Sequence, residues 1–192
     1  MTAPTSPVPL SSVPLGSVPL SSAPLSRVPL GTVRLTVADP TTPGSAKILR
    51  EYFENIIGRY YGRTAHPDEI AETLGDEPSD DLIAPTGIFV VATLNDTVVG
   101  CGGVRFVGHE SKLGEVTRVF VHESARGHGI AAALLTHLDD LAREAGITEL
   151  RLTVRNDLVE ARRLYIRAGY GEVPAFNSES YADYWFAKSV SR

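Results

Sequence analysis

The 192-residue chain is 43% hydrophobic and 21% charged, with a net charge of −5 and a single cysteine. These totals suit one soluble domain large enough to bury a core. They exclude an internal disulfide, show no basic stripe for nucleic acid, and contain no apolar run long enough to cross a bilayer.

The five histidines, His66, His109, His122, His128 and His137, lack metal-ligand spacing, so no metal is expected. Residues 1–32 differ from the rest. Val-Pro-Leu or Ala-Pro-Leu recurs every five residues from Val8-Pro9-Leu10 to Val28-Pro29-Leu30. Each proline removes a backbone donor and fixes φ, so this segment reads as a disordered, partly polyproline-II tail. A docking segment for a proline-binding partner is the alternative. No basic residue precedes Arg27 and prolines interrupt the apolar positions, so the pattern is not that of a signal peptide. The expected location is cytoplasmic.

Residues 33–192 read as one domain. Val33 to Val37 alternates like a half-buried strand. Ala46 to Tyr60 predicts an amphipathic helix with Ile48, Leu49, Tyr52, Phe53, Ile56 and Ile57 on one side. Pro67 opens a second helix that ends near Leu74. Ile88 to Leu94 and Thr97 to Phe106 are β-branched strands joined at Asn95-Asp96, a tight hairpin signal. Glu115 to Val121 is a further strand. Arg126 to Gly146 is the clearest helix, with Ile130, Leu134, Leu138, Leu141 and Ala145 as its apolar face. A strand over Glu149–Val154, a helix over Leu158–Ala168 and a strand over Tyr184–Lys188 complete the order. The fold class is α/β with a mixed sheet, not a regular βαβ repeat.

The informative stretch joins Val119-Phe120-Val121 to Arg126-Gly127-His128-Gly129-Ile130-Ala131. A strand leads through a glycine-containing loop into a long helix. Unpaired amides and the helix dipole at such a junction favour an anion, and suit a pyrophosphate. Arg126 adds a charge-assisted donor. Gly127 to Ala132 also fits G-x-G-x-x-A, with Glu149 about 20 residues on, as in nicotinamide dinucleotide sites. Glu149 begins its strand where a ribose-binding acid belongs at the end, and the preceding strands are hairpin-linked. Those features oppose the dinucleotide reading.

Here the sequence resembles the GNAT superfamily of N-acetyltransferases. Arg126 to Ala131 fits its signature Q/R-x-x-G-x-G/A. Asn156, Ala161, Leu164, Tyr165, Gly169 and Tyr170 fit the pattern N-x4-A-x2-L-Y-x3-G-F/Y. The resemblance covers Val33 to Lys188 and implies a mostly antiparallel central sheet flanked by helices. It implies acetyl-CoA as co-substrate, held by Val119, Phe120, Val121, the loop Arg126, Gly127, His128, Gly129, Ile130 and Ala131, and Asn156. The implied reaction is direct attack of an amine on the thioester in a ternary complex.

The resemblance further implies that Tyr165 faces the sulfur and protonates the departing thiolate. A core tyrosine on the same helix is the competing reading. Glu115 stands where several relatives carry a catalytic base, against the reading of an exposed edge carboxylate. Asn156 is alternatively a turn or N-cap residue, and Cys101 a packed strand residue. Acceptor selectivity in the family comes from segments that correspond to Tyr52–Leu74 and Pro174–Trp185, rich in Tyr60, Tyr61, Phe176, Tyr181, Tyr184 and Trp185. The same rings also suit a core or a homodimer contact. The acceptor reads as a small-molecule amine or amino acid. A protein N-terminus or lysine, or a non-catalytic acyl-CoA sensor, are the alternatives.

Overall fold

The computed structural model describes residues 33–108 and 112–191. The proline-rich repeat and His109 lie outside them. In chain order the elements are β1 (Arg34–Val37), α1 (Pro43–Tyr61), α2 (Pro67–Asp76), β2 (Gly87–Leu94), β3 (Thr97–Phe106) and β4 (Leu113–Val121). A 3-10 turn (Glu123–Ala125) then leads to α3 (Ile130–Glu144), β5 (Glu149–Val154), α4 (Val159–Arg167), β6 (Gly171–Val173) and β7 (Tyr184–Ser189). The seven strands form one sheet in the order β1-β2-β3-β4-β5-β7-β6. Only β4 and β5 run parallel; every other pair is antiparallel.

Helices cover both faces. Val90 and Ala92 of β2 pack with Ile130, Leu134 and Leu138 of α3 and with Tyr165 of α4. The alternate residues Phe89 and Val91 pack on the other face against Ile48 and Leu49 of α1. This two-sided burial explains why β2 reads as a continuous apolar run. Phe53 and Ile57 of α1 then bury Ile70 of α2. The predicted hairpin forms, and Asn95 and Asp96 take φ of 48° and 60°, as a type I′ turn requires.

The long helix starts at Ile130, not at Arg126. Gly127 and Gly129 both sit in the left-handed region, at φ 80° and 76°, and hold those residues in a loop. Its apolar face is also rotated from the expected one. Leu135 and Ala142 are buried while Ala145 is exposed. Two glycines of β3 serve close packing. A Cβ on Gly102 would meet Leu138 Cδ1 at 3.0 Å and one on Gly103 would meet Leu82 Cδ1 at 2.8 Å. The strand β6, only three residues long, is an addition to the predicted order.

Candidate active site

The site is built around a place where the sheet opens. β4 and β5 share three register positions, Leu113 with Glu149, Gly114 with Leu150, and Glu115 with Arg151. Beyond them β4 stays paired to β3 and β5 to β7, but not to each other. A bulge marks the same stretch of β4. The β3–β4 register shifts between Cys101 and Gly103, and Arg118 takes a φ of 57°. A side-chain-bearing residue in that conformation costs about 1–3 kcal/mol and persists only when its surroundings fix it. Here they do. The Arg118 guanidinium donates to Glu77 Oε2 (3.1 Å), to the Glu77 carbonyl (3.1 Å) and to Ser79 Oγ (3.2 Å). It also lies 4.7 Å from the Phe53 ring centroid. A bulge bends its strand and sharpens the local twist, which carries the upper part of β4 away from β5.

The loop after β4 is internally braced. His122 Nδ1 pairs with Ser124 Oγ at 2.7 Å. Arg126 Nε donates to the Val121 carbonyl at 3.0 Å, and His128 Nδ1 lies 3.2 Å from the Ala125 carbonyl. The first helical bond of α3 runs from the Ala133 amide to the Gly129 carbonyl, at 3.0 Å. The amides of Ile130, Ala131 and Ala132 precede it and have no intrahelical acceptor. No acidic residue stands in the first turn of α3, so nothing there competes for its positive end.

This junction walls a cavity of about 400 Å³ between the α3 N-terminus and the C-terminal half of α4. Val121, Arg126, Gly127, Gly129, Ile130 and Ala131 line it, six of the predicted binding residues. Thr136, Leu164 and Arg167, with Ala125, Ala132 and Ala168, complete the wall. Leu164 belongs to the motif that the sequence displays, but Thr136 and Arg167 carry no local signal. Arg167 adds a second cation opposite Arg126. Val119, Phe120, His128 and Asn156 stand outside the cavity. Val119 and Phe120 sit on the free part of β4, where Phe120 packs toward α1. Asn156 is exposed just after β5. Its amide donates to Asp183 Oδ2 at 2.8 Å, and its Oδ1 accepts from the Tyr184 hydroxyl at 3.5 Å. Leu158, not Asn156, is the N-cap of α4.

Because Gly127 and Gly129 have open space at the Cβ position, their requirement is conformational rather than steric. Gly129→Ala is expected to destabilise the fold by about 1–2 kcal/mol through the left-handed backbone alone, measurable by urea denaturation.

Tyr165 is buried at 8% exposure, in the same cluster as Val121 and Val154, the last residues of the two parted strands. Its ring meets Tyr170 edge-on at 5.9 Å. Burial pushes the Tyr165 hydroxyl well above the usual tyrosine range, and the same holds for Tyr52 and Tyr170. Tyr165 is therefore a protonated phenol at neutral pH, a donor and not a base. A stability consequence follows. Above about pH 10 the unfolded chain loses these protons while the folded chain keeps them. Stability is therefore expected to fall as pH rises from 10 upward, by up to about 1.4 kcal/mol per pH unit for each such group. Urea midpoints measured between pH 9 and 11 check this.

Glu115 is not an exposed edge residue. It lies on a central strand, 19% exposed, with Oε2 3.5 Å from Arg151 Nε. Cys101 donates its thiol to the Arg118 carbonyl at 3.2 Å, and burial raises its pKa far above the ordinary thiol value. That is a packed, unreactive thiol. Among the described residues there is no cluster of three or more potential metal ligands, and no helix is long and apolar enough to cross a membrane. The aromatic segments converge at one end of α1. Tyr60 contacts both Tyr61 (5.0 Å) and Tyr181 (5.3 Å), while Arg155 donates to the Ile56 carbonyl and pairs with Asp157.

Comparison with known proteins places this geometry. Among curated proteins, the chain is 39% identical over 93 residues to an IAA acetyltransferase of Azospirillum brasilense, covering 47% of this chain and 59% of that protein. A GNAT-family acetyltransferase of Staphylococcus aureus Mu50 superposes with a TM-score of 0.66 at 15% identity, over 83% of this chain and 99% of the other. The PaiA N-acetyltransferase of Thermoplasma acidophilum, solved in complex with coenzyme A, gives 0.64 at 15% identity, over 82% and 99%. At such identities these structures establish the shared fold. Residues 47–170 match the model of the Acetyltransferase (GNAT) family, and with that match spanning the α1-to-α4 scaffold and the braced loop, the chain belongs to this family.

Proposed function

We propose that this protein is an acetyl-CoA-dependent N-acetyltransferase that acts on the amine of a small molecule or amino acid. The observation that carries the reading is the α3 N-terminal cavity, which Val121 at the end of β4 lines together with the glycine loop, on a strand that leaves β5 beyond Glu115 and Arg151. The first-turn amides of α3 make that cavity an anion site, and the buried Tyr165 belongs to the same core cluster as Val121 and Val154. The family match and the coenzyme A complex of a fold relative support the same donor.

The residues fit such a donor. Gly127, Gly129 and the first-turn amides of α3 hold its pyrophosphate, with Arg126 and Arg167 supplying charge. The free backbone of Val119–Val121 lies along the pantetheine arm. When bound, acetyl-CoA supplies an activated thioester. Backbone N–H groups on that edge of β4 stabilise the oxygen charge that develops during attack. The Tyr165 hydroxyl donates a proton to the leaving sulfur, and Glu115 accepts one from the acceptor amine, directly or through water.

Isothermal calorimetry with acetyl-CoA, followed by a thiol-release assay over a panel of amines, tests the reading. Saturable binding and acceptor-dependent release of coenzyme A are expected. Binding without release across amino acids, polyamines, aminoglycosides and peptides would convert the protein into an acyl-CoA sensor. Release with peptides alone would move its substrate to a protein.

A further inference from the structure

The face of the sheet that packs on α1 carries arginines from β3, β4, β5 and the turn after it. Three are fully engaged. Arg105 pairs with Asp81. Arg118 bonds Glu77 and Ser79. Arg155 bonds Asp157 through Nε and a terminal nitrogen, and the Ile56 carbonyl. Arg151 differs. Its Nε is buried without a hydrogen-bond acceptor among the described residues, and its one ion pair there is with Glu115, at 3.5 Å. Its guanidinium carbon lies over the Phe176 ring, 4.3 Å from the centroid.

The position of this group is informative. Arg151 and Glu115 form the last register pair before β4 and β5 part, so they stand at the base of the opening. Leu150 and Leu152 point into the core beneath α3, which directs Arg151 to the α1 face, opposite the α3–α4 cavity. The segment between β6 and β7 folds over this face. Phe176 covers Arg151, Asn177 accepts from Trp185 Nε1 at 2.7 Å, and Glu179 accepts from Thr153 Oγ1 at 2.8 Å. A guanidinium packed over an aromatic ring, whose two terminal nitrogens make no hydrogen bond among the described residues, matches a carboxylate, which accepts two parallel N–H bonds. Glu115 beside it presents the opposite charge to an ammonium.

We infer that the acceptor is an amine that carries its own carboxylate, and that Arg151 anchors this carboxylate on the α1 face of the opening. The inference rests on the acetyltransferase reading above and names its substrate class. The ammonium of the zwitterion faces Glu115 and the β4–β5 gap; the carboxylate lies on Arg151 and Phe176. The ammonium first loses one proton to Glu115 or water and becomes the nucleophile. The new C–N bond then replaces the C–S bond, the second nitrogen proton leaves to water, the sulfur takes a proton from Tyr165, and solvent reprotonates the phenol. The carboxylate takes no part in the chemistry.

The test compares kcat/KM for α-, β- and γ-amino acids, each beside its amide and its decarboxylated amine, in the wild type, Arg151→Gln and Arg151→Lys. At least one free amino acid is expected to exceed both counterparts that lack the carboxylate by about 10²-fold. Arg151→Gln should remove most of that preference, mainly through KM, while Arg151→Lys restores part of it. The acetyl-CoA dissociation constant should stay within twofold in both variants, and it serves with the melting temperature as the control for folding. If Arg151→Gln fails to fold, the wild-type preference and the Lys variant decide the matter. Equal rates for acceptors with and without the carboxylate, or equal losses for both in Arg151→Gln, would overturn the inference and leave the acetyltransferase reading standing. Acetylation of none of them by an enzyme that acetylates peptides or polyamines would do the same. Absence of turnover with every amine, despite acetyl-CoA binding, would remove both.

Discussion

Tyr165→Phe is expected to lower kcat by about 10²- to 10⁴-fold, the range for loss of a positioned general acid, while the acetyl-CoA dissociation constant changes little. The substitution removes one hydroxyl from a buried ring and leaves the edge contact with Tyr170 in place. The melting temperature should therefore move by a few degrees at most. Pre-steady-state thiol release separates the effect on chemistry from product release. A leaving-group test sharpens the expectation. A donor whose thiol is more acidic needs less protonation, so the deficit of the Phe variant should shrink with an aryl thioester that the cavity accepts. An unchanged kcat would take Tyr165 out of the mechanism and leave it as a core residue.

Asp139→Ala is expected to produce the largest loss of stability, about 3–5 kcal/mol, the range for leaving a buried charge without its partner. Asp139 is buried on α3 at 5% exposure. It accepts from the Tyr170 hydroxyl at 3.2 Å and pairs with the Lys188 ammonium, which also donates to the Ala168 carbonyl at 2.7 Å. One carboxylate thus joins α3, the end of α4 and β7. Its removal strands the lysine charge and orphans the phenol. For a domain whose whole stability is about 5–15 kcal/mol, the loss is a large fraction. Asp139→Asn keeps an acceptor for Tyr170 and should cost less than the alanine change. Urea unfolding of both variants measures the difference, and near-equal values would show that the charge pair contributes little.

These two residues also show where sequence reading succeeds and where it stops. The loop and helix around Gly129 were legible because glycine, helix periodicity and strand–loop–helix order are local signals. So were the β2–β3 hairpin and the helix that carries Tyr165. α3 starts four residues later than the sequence suggests, because Gly127 and Gly129 take left-handed backbone and hold Arg126–Gly129 in a loop. Asp139 falls in a run, Asp139-Asp140, that reads as a solvated helix face. Only the folded chain brings Lys188, 49 positions away, beside the first of the two. The bulge at Arg118 and the strand β6 escape for the same reason. A left-handed arginine is set by Glu77 and Ser79 across the sheet, and three residues are too few to show a period. At the site, the α3 cavity was legible from one continuous segment. Arg167 and the Glu115–Arg151 pair were not, since each depends on elements far apart in the chain.

The short contact between β4 and β5 has a mechanical consequence. With three paired positions, the sheet behaves as two leaves, β1–β4 and β5–β7–β6, sewn together along one end. Above that seam, no backbone hydrogen bond among the described residues ties one leaf to the other. A ligand lying along the free edge of β4 would supply the missing stitches. Amide hydrogens that point to that edge, such as that of Val121, which lies between the β3-facing amides of Phe120 and His122, would then exchange fast in the free protein and slowly once the donor is bound. The melting temperature would rise with donor concentration, as RT ln(1 + [L]/Kd) requires. The protein would be at its stiffest when loaded and waiting for an amine.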